Sequence, residues 1–376
     1  MVTSVPIPPA EGIGYYVWNL SRFLMSKGHK VQIITRGQNN RPFGEKLDGI
    51  QIWRPRFYPV YPLHVHLHSV FAQNLLRRLE SEVDVFHLHT PLPPPIRSNR
   101  PLLVTVHTSM RGEAKAIKIK DLWSLIIRLQ IPVSVSIERE LLANAHAVAA
   151  VAQSVANELT SHSRYKNPIK VLGNGVDITV FHPVEQNSVQ ANKTYILAAG
   201  RLDVRKGFND LIEAMTYISR RHPSVQLHIA GTGPLEGQLQ AQIERLRLDH
   251  TVRLLGQIDQ PKLADLYQGA AVFAHAAHYE GLPTVLLEAM ASGKAVVCTS
   301  VSGALDVVED NANGILVPPK RPDRLAEAIC NLLDDQELQK RLGAAARRTV
   351  EKRFSWQAVG NNYLHCYESL LAGENV

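Results

Sequence analysis

Two short segments carry side chains whose types and spacing suit a phosphorylated, hydroxyl-rich ligand. The first, Gly200-Arg-Leu-Asp-Val-Arg-Lys-Gly207, follows the strand-like run Tyr195–Ala199 and precedes the helix-like FNDLIEAM. Arg201, Arg205 and Lys206 supply positive charge, and Gly200 and Gly207 let a ligand come close to the backbone, a combination that fits a phosphate or diphosphate. The second is Glu280-Gly-Leu-Pro-Thr284-Val-Leu-Leu-Glu288-Ala-Met290, ending at Ser292-Gly293. Pro283 suits the first turn of a helix and Gly293 its stop, so Glu280 lies just before the helix and Glu288 within it. Thr284 and Glu288, four apart, share one face, while Leu286, Leu287 and Met290 can point into a core. The helix start offers free N–H groups to an anion, and the two carboxylates could grip hydroxyls of the same ligand. Taken singly, a solvated cationic loop and an amphipathic helix with a surface glutamate are the competing readings.

Other ligand-binding patterns fail on their spacing. Pro8-Pro-Ala-Glu-Gly12-Ile-Gly14 resembles a phosphate-cradling turn, but the third glycine of a dinucleotide fingerprint falls on Val17. Gly293-Lys294 is followed by Ala295, and Glu288 stands where a Walker loop needs its first glycine. His64, His66 and His68 alternate as on one strand face, as do His87 and His89, but no acidic or cysteine ligand set accompanies them, so structural or solvent-facing roles are preferred to metal binding. His107 differs, because it ends the apolar run Leu102–Val106 and precedes Thr108-Ser109, a strand-end position from which it could orient or polarise a substrate oxygen. Cys298, Cys330 and Cys366 form no C-x-x-C pair and no disulfide framework, which points to a reduced, cytoplasmic protein.

These segments need strands and helices to position them. The chain has 376 residues, is 45% hydrophobic, and on length suggests two domains of a soluble α/β protein. In the first half the amphipathic stretch Tyr15–Lys27, with Tyr16, Leu20, Phe23 and Leu24 on one side, stops at Gly28 before the apolar run Val31–Thr35. Val83–Leu88, Leu102–His107 and Ile169–Leu172 read as further short strands, and their alternation with helices implies parallel pairing. A polar stretch, Val184–Lys193, reads as a linker to a second series: Tyr195–Ala199, Val225–Ala230, Val252–Leu255, Ala271–Ala274, Ala295–Cys298 and Ile315–Val317. Three helical stretches at about 322–334, 336–353 and 356–372 close the chain. Two such domains imply a cleft, with ligands met beyond the carboxyl ends of the strands.

No run of 18 apolar residues and no signal-peptide pattern is present. The net charge of +7 is uneven: residues 1–183 hold 21 Lys and Arg against 12 Asp and Glu, so the basic half is where an anionic partner would be met. Arg111–Lys120 carries four cations among apolar residues and continues into Leu122–Ile127, which suits either peripheral contact with an anionic membrane or a solvated helix face. Nucleic-acid binding is disfavoured, since no recognition motif accompanies the charge.

Taken together, the motifs resemble the retaining glycosyltransferases of family 4, the glycosyl transferases group 1. The resemblance runs through Pro-x-x-Glu-Gly-Ile-Gly, Lys27-Gly-His-Lys-Val31, Val104-Thr-Val-His107, Asn174-Gly-Val-Asp177 with Phe181-His-Pro183, Gly200–Gly207, Gly231-Thr-Gly-Pro234, Glu280–Glu288 and Phe354-Ser-Trp356. It implies an α/β GT-B fold with two Rossmann-like domains facing across a cleft. The expected domains are an acceptor-side domain at 1–183, a nucleotide-sugar-binding domain at 184–355, and a C-terminal helix at 356–376 crossing back to the first. By resemblance, Arg201 and Lys206 bind the donor diphosphate, Glu288 the ribose hydroxyls and Glu280 the transferred sugar, with Thr284 in the same donor site. Gly12 and Gly14 let the first helix approach the phosphates, and His107 contacts the sugar. His107, Arg201, Lys206 and Glu280 are the expected catalytic residues.

The expected reaction moves a hexosyl group from a UDP- or GDP-linked donor to a lipid-linked, glycan or small-molecule acceptor, with retention. No metal or other cofactor is expected, in keeping with the missing Asp-x-Asp pair, and the protein is placed at most peripherally at the inner face of a membrane. The chain departs from the family pattern where Glu11-Gly12 replaces a glycine pair and where the first strand is cut to Met1–Ser4. An epimerase or phosphorylase of the same fold, and a non-catalytic sugar-nucleotide-binding protein, are the alternatives, because a fold does not fix a function.

Overall fold

The computed structural model describes the chain except for residues 4, 10–11, 38–42, 59–63, 91–95, 111, 113–121, 163–164, 185–193 and 375–376, and except for the side chains of 64–66, 122–127 and 129–130. The chain divides into two compact units, Met1–Gly175 with Trp356–Val376, and Val176–Ser355. The division falls at Gly175/Val176, ahead of the 183/184 boundary expected from composition. Val176 already pairs with Ser355 and Phe181 is buried against Tyr267, so the residues before the polar stretch belong to the second unit.

In the first unit the strands are β1 (Gln32–Ile34), β2 (Phe43–Leu47), β3 (Ile50–Arg54), β4 (Phe86–Thr90), β5 (Leu102–Val106), β6 (Ala147–Ala150) and β7 (Lys170–Val171). They pair in the orders β1-β3-β2 and β4-β5-β6-β7. Val2 bridges in parallel to Ile34 and to Leu88, so the short N-terminal run fills the place between the two groups. Its backbone bonds, Val2 N–H to His87 O at 2.7 Å and His89 N–H to Val2 O at 3.0 Å, are strand bonds despite the length of the segment. Pairing is parallel except for β2, which turns back antiparallel on β3 through Asp48-Gly49, both at positive φ. That hairpin departs from the all-parallel expectation.

The Gly12–Ser26 helix buries Tyr16, Leu20, Phe23 and Leu24 in one cluster with Leu103, Val359 and Tyr363, and Val17 and Trp18 in another with Ile33, Ile50 and Ile52. It stops as the Lys27-Gly28 pair suggests: Gly28 takes φ 88°, and His29 N–H reaches back to Leu24 O at 3.1 Å. The Trp356–Leu371 helix lies against it, and a β-carbon on Gly360 would come within 2.3 Å of the Phe23 ring. Burying each of these large apolar side chains contributes roughly 1.5–3 kcal/mol. His64, His66 and His68 lie on the His64–Leu79 helix, which corrects the strand reading of that alternation. The basic segment Arg111–Lys120 falls outside the described residues apart from Gly112, and the Leu122–Ala143 helix follows it.

The second unit is a six-stranded parallel sheet of β8 (Tyr195–Ala199), β9 (Gln226–Ala230), β10 (Val252–Gly256), β11 (Val272–His275), β12 (Ala295–Thr299) and β13 (Ile315–Val317). Its order is β10-β9-β8-β11-β12-β13, the doubly wound arrangement. The strands are near-continuous apolar runs because helices cover both faces, as the fully buried Val-Val-Cys of β12 illustrates. The Phe208–Arg221 and Pro322–Asp334 helices pack on one another through Leu211, Met215, Leu325 and Ile329, all buried. Among the described residues no helix is long and apolar enough to cross a membrane.

Candidate functional site

In the second unit the chain leaves β8 toward β9 on one side and β11 toward β12 on the other, so the carboxyl ends of the adjacent strands β8 and β11 open the crevice at which such sheets bind ligands. The loop after β9 packs on the loop after β8 with no room for side chains at its two glycines. A β-carbon on Gly231 would lie 2.0 Å from Gly200 O, and one on Gly233 would lie 2.5 Å from Leu202 O. Leu202, fully buried, ties the two loops together by donating to Thr232 O at 2.9 Å and accepting from Leu235 N–H at 3.0 Å. Arg201, between them, is exposed.

Asp203 then caps a 3-10 turn, Val204–Lys206, by accepting from Arg205 N–H at 2.9 Å, and its other oxygen pairs with the Arg205 guanidinium at 3.2 Å. Arg205 is thereby turned onto its own loop. Gly207 ends the turn at φ 64°, with Ala276 O so close that a β-carbon would lie 1.9 Å from it. His278 fastens the junction, donating its N–H to Arg205 O at 2.6 Å and pairing its Nε2 with Asp210 at 2.8 Å.

This docking brings Lys206 onto Glu280. The ammonium donates to Glu280 Oε1, and His275 Nε2 lies 3.3 Å from the same oxygen. Glu280 and His275 are almost wholly buried. Burial would raise the Glu280 carboxyl, but Lys206 first and His275 next outweigh it and hold the group down to about 2. Its backbone is pinned as well, since Glu280 O accepts from Ser302 Oγ at 2.7 Å and Gly303 N–H at 3.3 Å. Glu280 is therefore a fixed anion.

Glu288 lies in the Thr284–Ala291 helix, whose Leu286, Leu287 and Met290 are fully buried as the pattern requires. Thr284 opens that helix with Pro283 as its N-cap, and both Thr284 and Glu288 are partly exposed on one face. Among the described residues the Glu288 carboxyl meets no cation; burial pushes it up to about 7, opposed by a bond from Tyr267 Oη at 3.0 Å. The two glutamates thus hold opposite tendencies: one is kept charged, the other favours its proton.

Gly12, Gly14 and His107 belong to the first unit. Gly12 begins the first helix, and a β-carbon on Gly14 would press within 3.2 Å of Pro9 and 3.3 Å of Pro6 O, so a side chain there would displace the Pro6–Pro9 turn. His107 follows β5, edge-on to Tyr16 at 4.6 Å, with its Nε2 3.4 Å from His89 Nδ1. Burial lowers it to about 3, so it is a neutral imidazole. His87 is buried and satisfied on both nitrogens, by Tyr367 Oη and Thr105 Oγ1, each at 2.7 Å. Thr105 continues to Tyr363 Oη at 3.1 Å.

The sequence reading missed His275, Tyr267 and the His278–Asp210 pair. The strand-end rule that singles out His107 after β5 applies equally to His275, the last residue of β11. Tyr267 had no comparable signal, because it is 21 residues from Glu288 and on another helix. Among the described residues no group of three or more His, Cys, Asp or Glu side chains is placed to hold a metal ion.

Residues 183–349 match the model of the family described as glycosyl transferases group 1, and residues 10–180 match that of glycosyltransferase family 4. An uncharacterised glycosyltransferase of Methanocaldococcus jannaschii is 27% identical over 379 residues, covering 95% of this chain and 94% of that protein. Among solved structures, sucrose-phosphate synthase from Thermosynechococcus elongatus superposes with a TM-score of 0.83 at 24% identity over 99% of each chain. The Anabaena HepE protein in complex with UDP-glucose gives 0.74 at 19% identity, over 98% of this chain and 99% of that one. These two likenesses establish the GT-B fold. With the two family matches lying end to end over most of its length, the chain belongs to the family 4, group 1 glycosyltransferases and is an enzyme of glycosyl transfer.

Proposed function

We propose that the protein transfers a hexosyl group from a nucleotide-sugar donor, UDP- or GDP-linked, to a lipid-linked, glycan or small-molecule acceptor, with retention and without a metal ion. The observation that carries this reading is the Lys206–Glu280 pair at the carboxyl ends of β8 and β11, with Arg201 in the same loop and Glu288 on the helix that follows. UDP-glucose in the Anabaena relative of the same fold supports the donor class.

In the proposed reaction the bond between the sugar's anomeric carbon and the diphosphate oxygen breaks, and its electron pair stays on the diphosphate. The acceptor oxygen forms the new bond on the same face, and its proton passes to the departing phosphate. Lys206 and Arg201 stabilise the charge that develops there, Lys206 from a largely buried position where such stabilisation is strongest. Lys206 leaves Glu280 for the diphosphate, and Glu280 then accepts from sugar hydroxyls. Glu288 accepts from the ribose diol. Gly12 and Gly14 allow close approach of phosphate to the first helix, and His107, as a neutral imidazole, bonds the sugar. No side chain acts as a covalent nucleophile.

Nucleotide release from UDP-, GDP- and ADP-sugars, with EDTA present and a crude lipid and glycan extract as acceptor, tests the reading. Release from one donor in EDTA supports it; release that requires an added divalent ion, or none from any donor, overturns it. The basic first half further suggests contact with an anionic membrane surface. Sedimentation with anionic liposomes at low salt, reversed at high salt, is the expected result, and no binding at either salt removes that part.

A further inference from the structure

Tyr267 is fully buried on the Gln260–Gly269 helix, with its ring 5.7 Å from Phe181 and 5.5 Å from Phe273. Its hydroxyl lies within hydrogen-bonding distance of two acceptors at once, Val285 O at 3.1 Å and Glu288 Oε2 at 3.0 Å. We propose that Tyr267 is a positioning residue for the donor site: its hydroxyl holds Glu288 Oε2 so that Oε1 is presented to a vicinal hydroxyl pair of the donor nucleotide. The proposal rests on the reading of Glu288 as the group that takes those hydroxyls.

The chemistry of the hydroxyl explains why a tyrosine serves here. When Glu288 is ionised, Tyr267 donates to the carboxylate. When Glu288 is protonated, the carboxyl donates to the tyrosine oxygen and the phenolic hydrogen turns to Val285 O. The carboxyl group is therefore held in one orientation in either state, while only the charged state can accept from both hydroxyls of the ligand. A phenylalanine would fill the same space and hold neither state.

Several other ionisable groups on the elements around Glu288 have partners of their own. On the neighbouring helix Lys262 pairs with Asp259. His275 on β11 meets Glu280, and the buried Cys298 thiol on β12 is pushed up to about 12 and stays neutral. Lys294, after the helix, donates to Gln268 O at 2.6 Å. Arg347, on the Gln336–Arg353 helix, donates to Ala291 O at 2.6 Å and Phe181 O at 2.8 Å. Burial is the larger influence on Glu288; among the described residues Tyr267 is the side chain whose hydrogen bond opposes it, favouring the charged form.

The test is calorimetric titration of the full-length protein with UDP and with GDP between about pH 5.5 and 8.5, for wild type, Tyr267→Phe, Glu288→Gln and the double variant. For the nucleotide that binds, wild-type affinity should fall on the acid side of about pH 7, and Tyr267→Phe should weaken binding about fivefold or more and move that limb to higher pH. Glu288→Gln should remove the limb, and the double variant should bind no worse than Glu288→Gln alone, which is the signature of one residue acting through the other. A merely structural tyrosine would weaken binding without moving the limb and would add its cost in the double variant. If Glu288→Gln weakens binding but Tyr267→Phe changes neither affinity nor limb, the positioning role is overturned while the donor-site reading stands. If Glu288→Gln leaves affinity unchanged, or neither nucleotide binds, the underlying reading falls and the positioning role with it.

Discussion

Gly207 and Ala276 stand backbone to backbone: a β-carbon on Gly207 would lie 1.9 Å from the Ala276 carbonyl oxygen. This contact docks the turn that follows β8 onto the segment that follows β11, and Lys206 can reach Glu280 because of it. Gly207→Ala adds both the clash and the strain of a left-handed backbone at φ 64°. The expected result is a loss of about 3 kcal/mol or more in the second unit, read as a melting temperature lower by roughly 6 °C or more. A variant that melts with wild type would show that the contact yields freely.

Lys206→Ala removes the cation that meets the Glu280 carboxylate. On the proposed reading donor turnover falls by about tenfold or more, because a preorganised charge on the leaving diphosphate would be lost. The same loss is expected of Glu288→Ala. Initial rates on protein shown to be folded by circular dichroism check both, and wild-type rates would remove these residues from the donor site.

Glu280 and Glu288 impose opposite pH dependences on stability. Glu280, held down to about 2, contributes stability that is present above about pH 4.5 and lost as pH falls toward 2. Glu288, pushed up to about 7, contributes stability that is present below about pH 4.5 and lost as pH rises through 7. Melting curves of Glu288→Gln should therefore gain on wild type as pH rises from about 5 to 8. Those of Glu280→Gln should trail wild type near neutrality and approach it toward about pH 3. Pairs of curves that stay parallel across the range would contradict these assignments.

In the first unit, Tyr367→Phe takes away the partner of His87 Nδ1, a group buried between β4 and the C-terminal helix. Leaving a buried imidazole nitrogen unpaired costs about 1–3 kcal/mol. Double substitution with His87→Phe should recover part of that cost, because the orphaned nitrogen is gone. Denaturant melts of the two variants decide it, and equal stability of Tyr367→Phe and wild type would show that the bond is replaced without cost.

What could be read from the chain was local. The apolar stripe of Tyr16, Leu20, Phe23 and Leu24 marked the face of the first helix that is buried, and Gly28 marked its end in a left-handed turn. The Pro283–Gly293 signals bounded the helix that carries Glu288. Each of these rests on neighbours within a turn or two, which is the range over which periodicity and backbone preference act. The histidines at 64, 66 and 68 show the limit, because a three-residue alternation does not separate a strand from a helix whose burial is decided elsewhere.

The family of the chain and most of its parallel strands followed from residue types, their order and their spacing, which also singled out the side chains proposed to hold a phosphorylated ligand. The tertiary structure decided the electrostatics. Lys206 and Glu280 are 74 residues apart and meet because β11 lies beside β8, an adjacency that no local pattern encodes. The same packing left Glu288 with a tyrosine for company in place of a cation, so two glutamates of one motif hold their protons at very different strengths. Burial and charge pairing depend on what the folded chain brings within a few ångströms, and that distance is set by strand order and close backbone contact, not by position along the sequence.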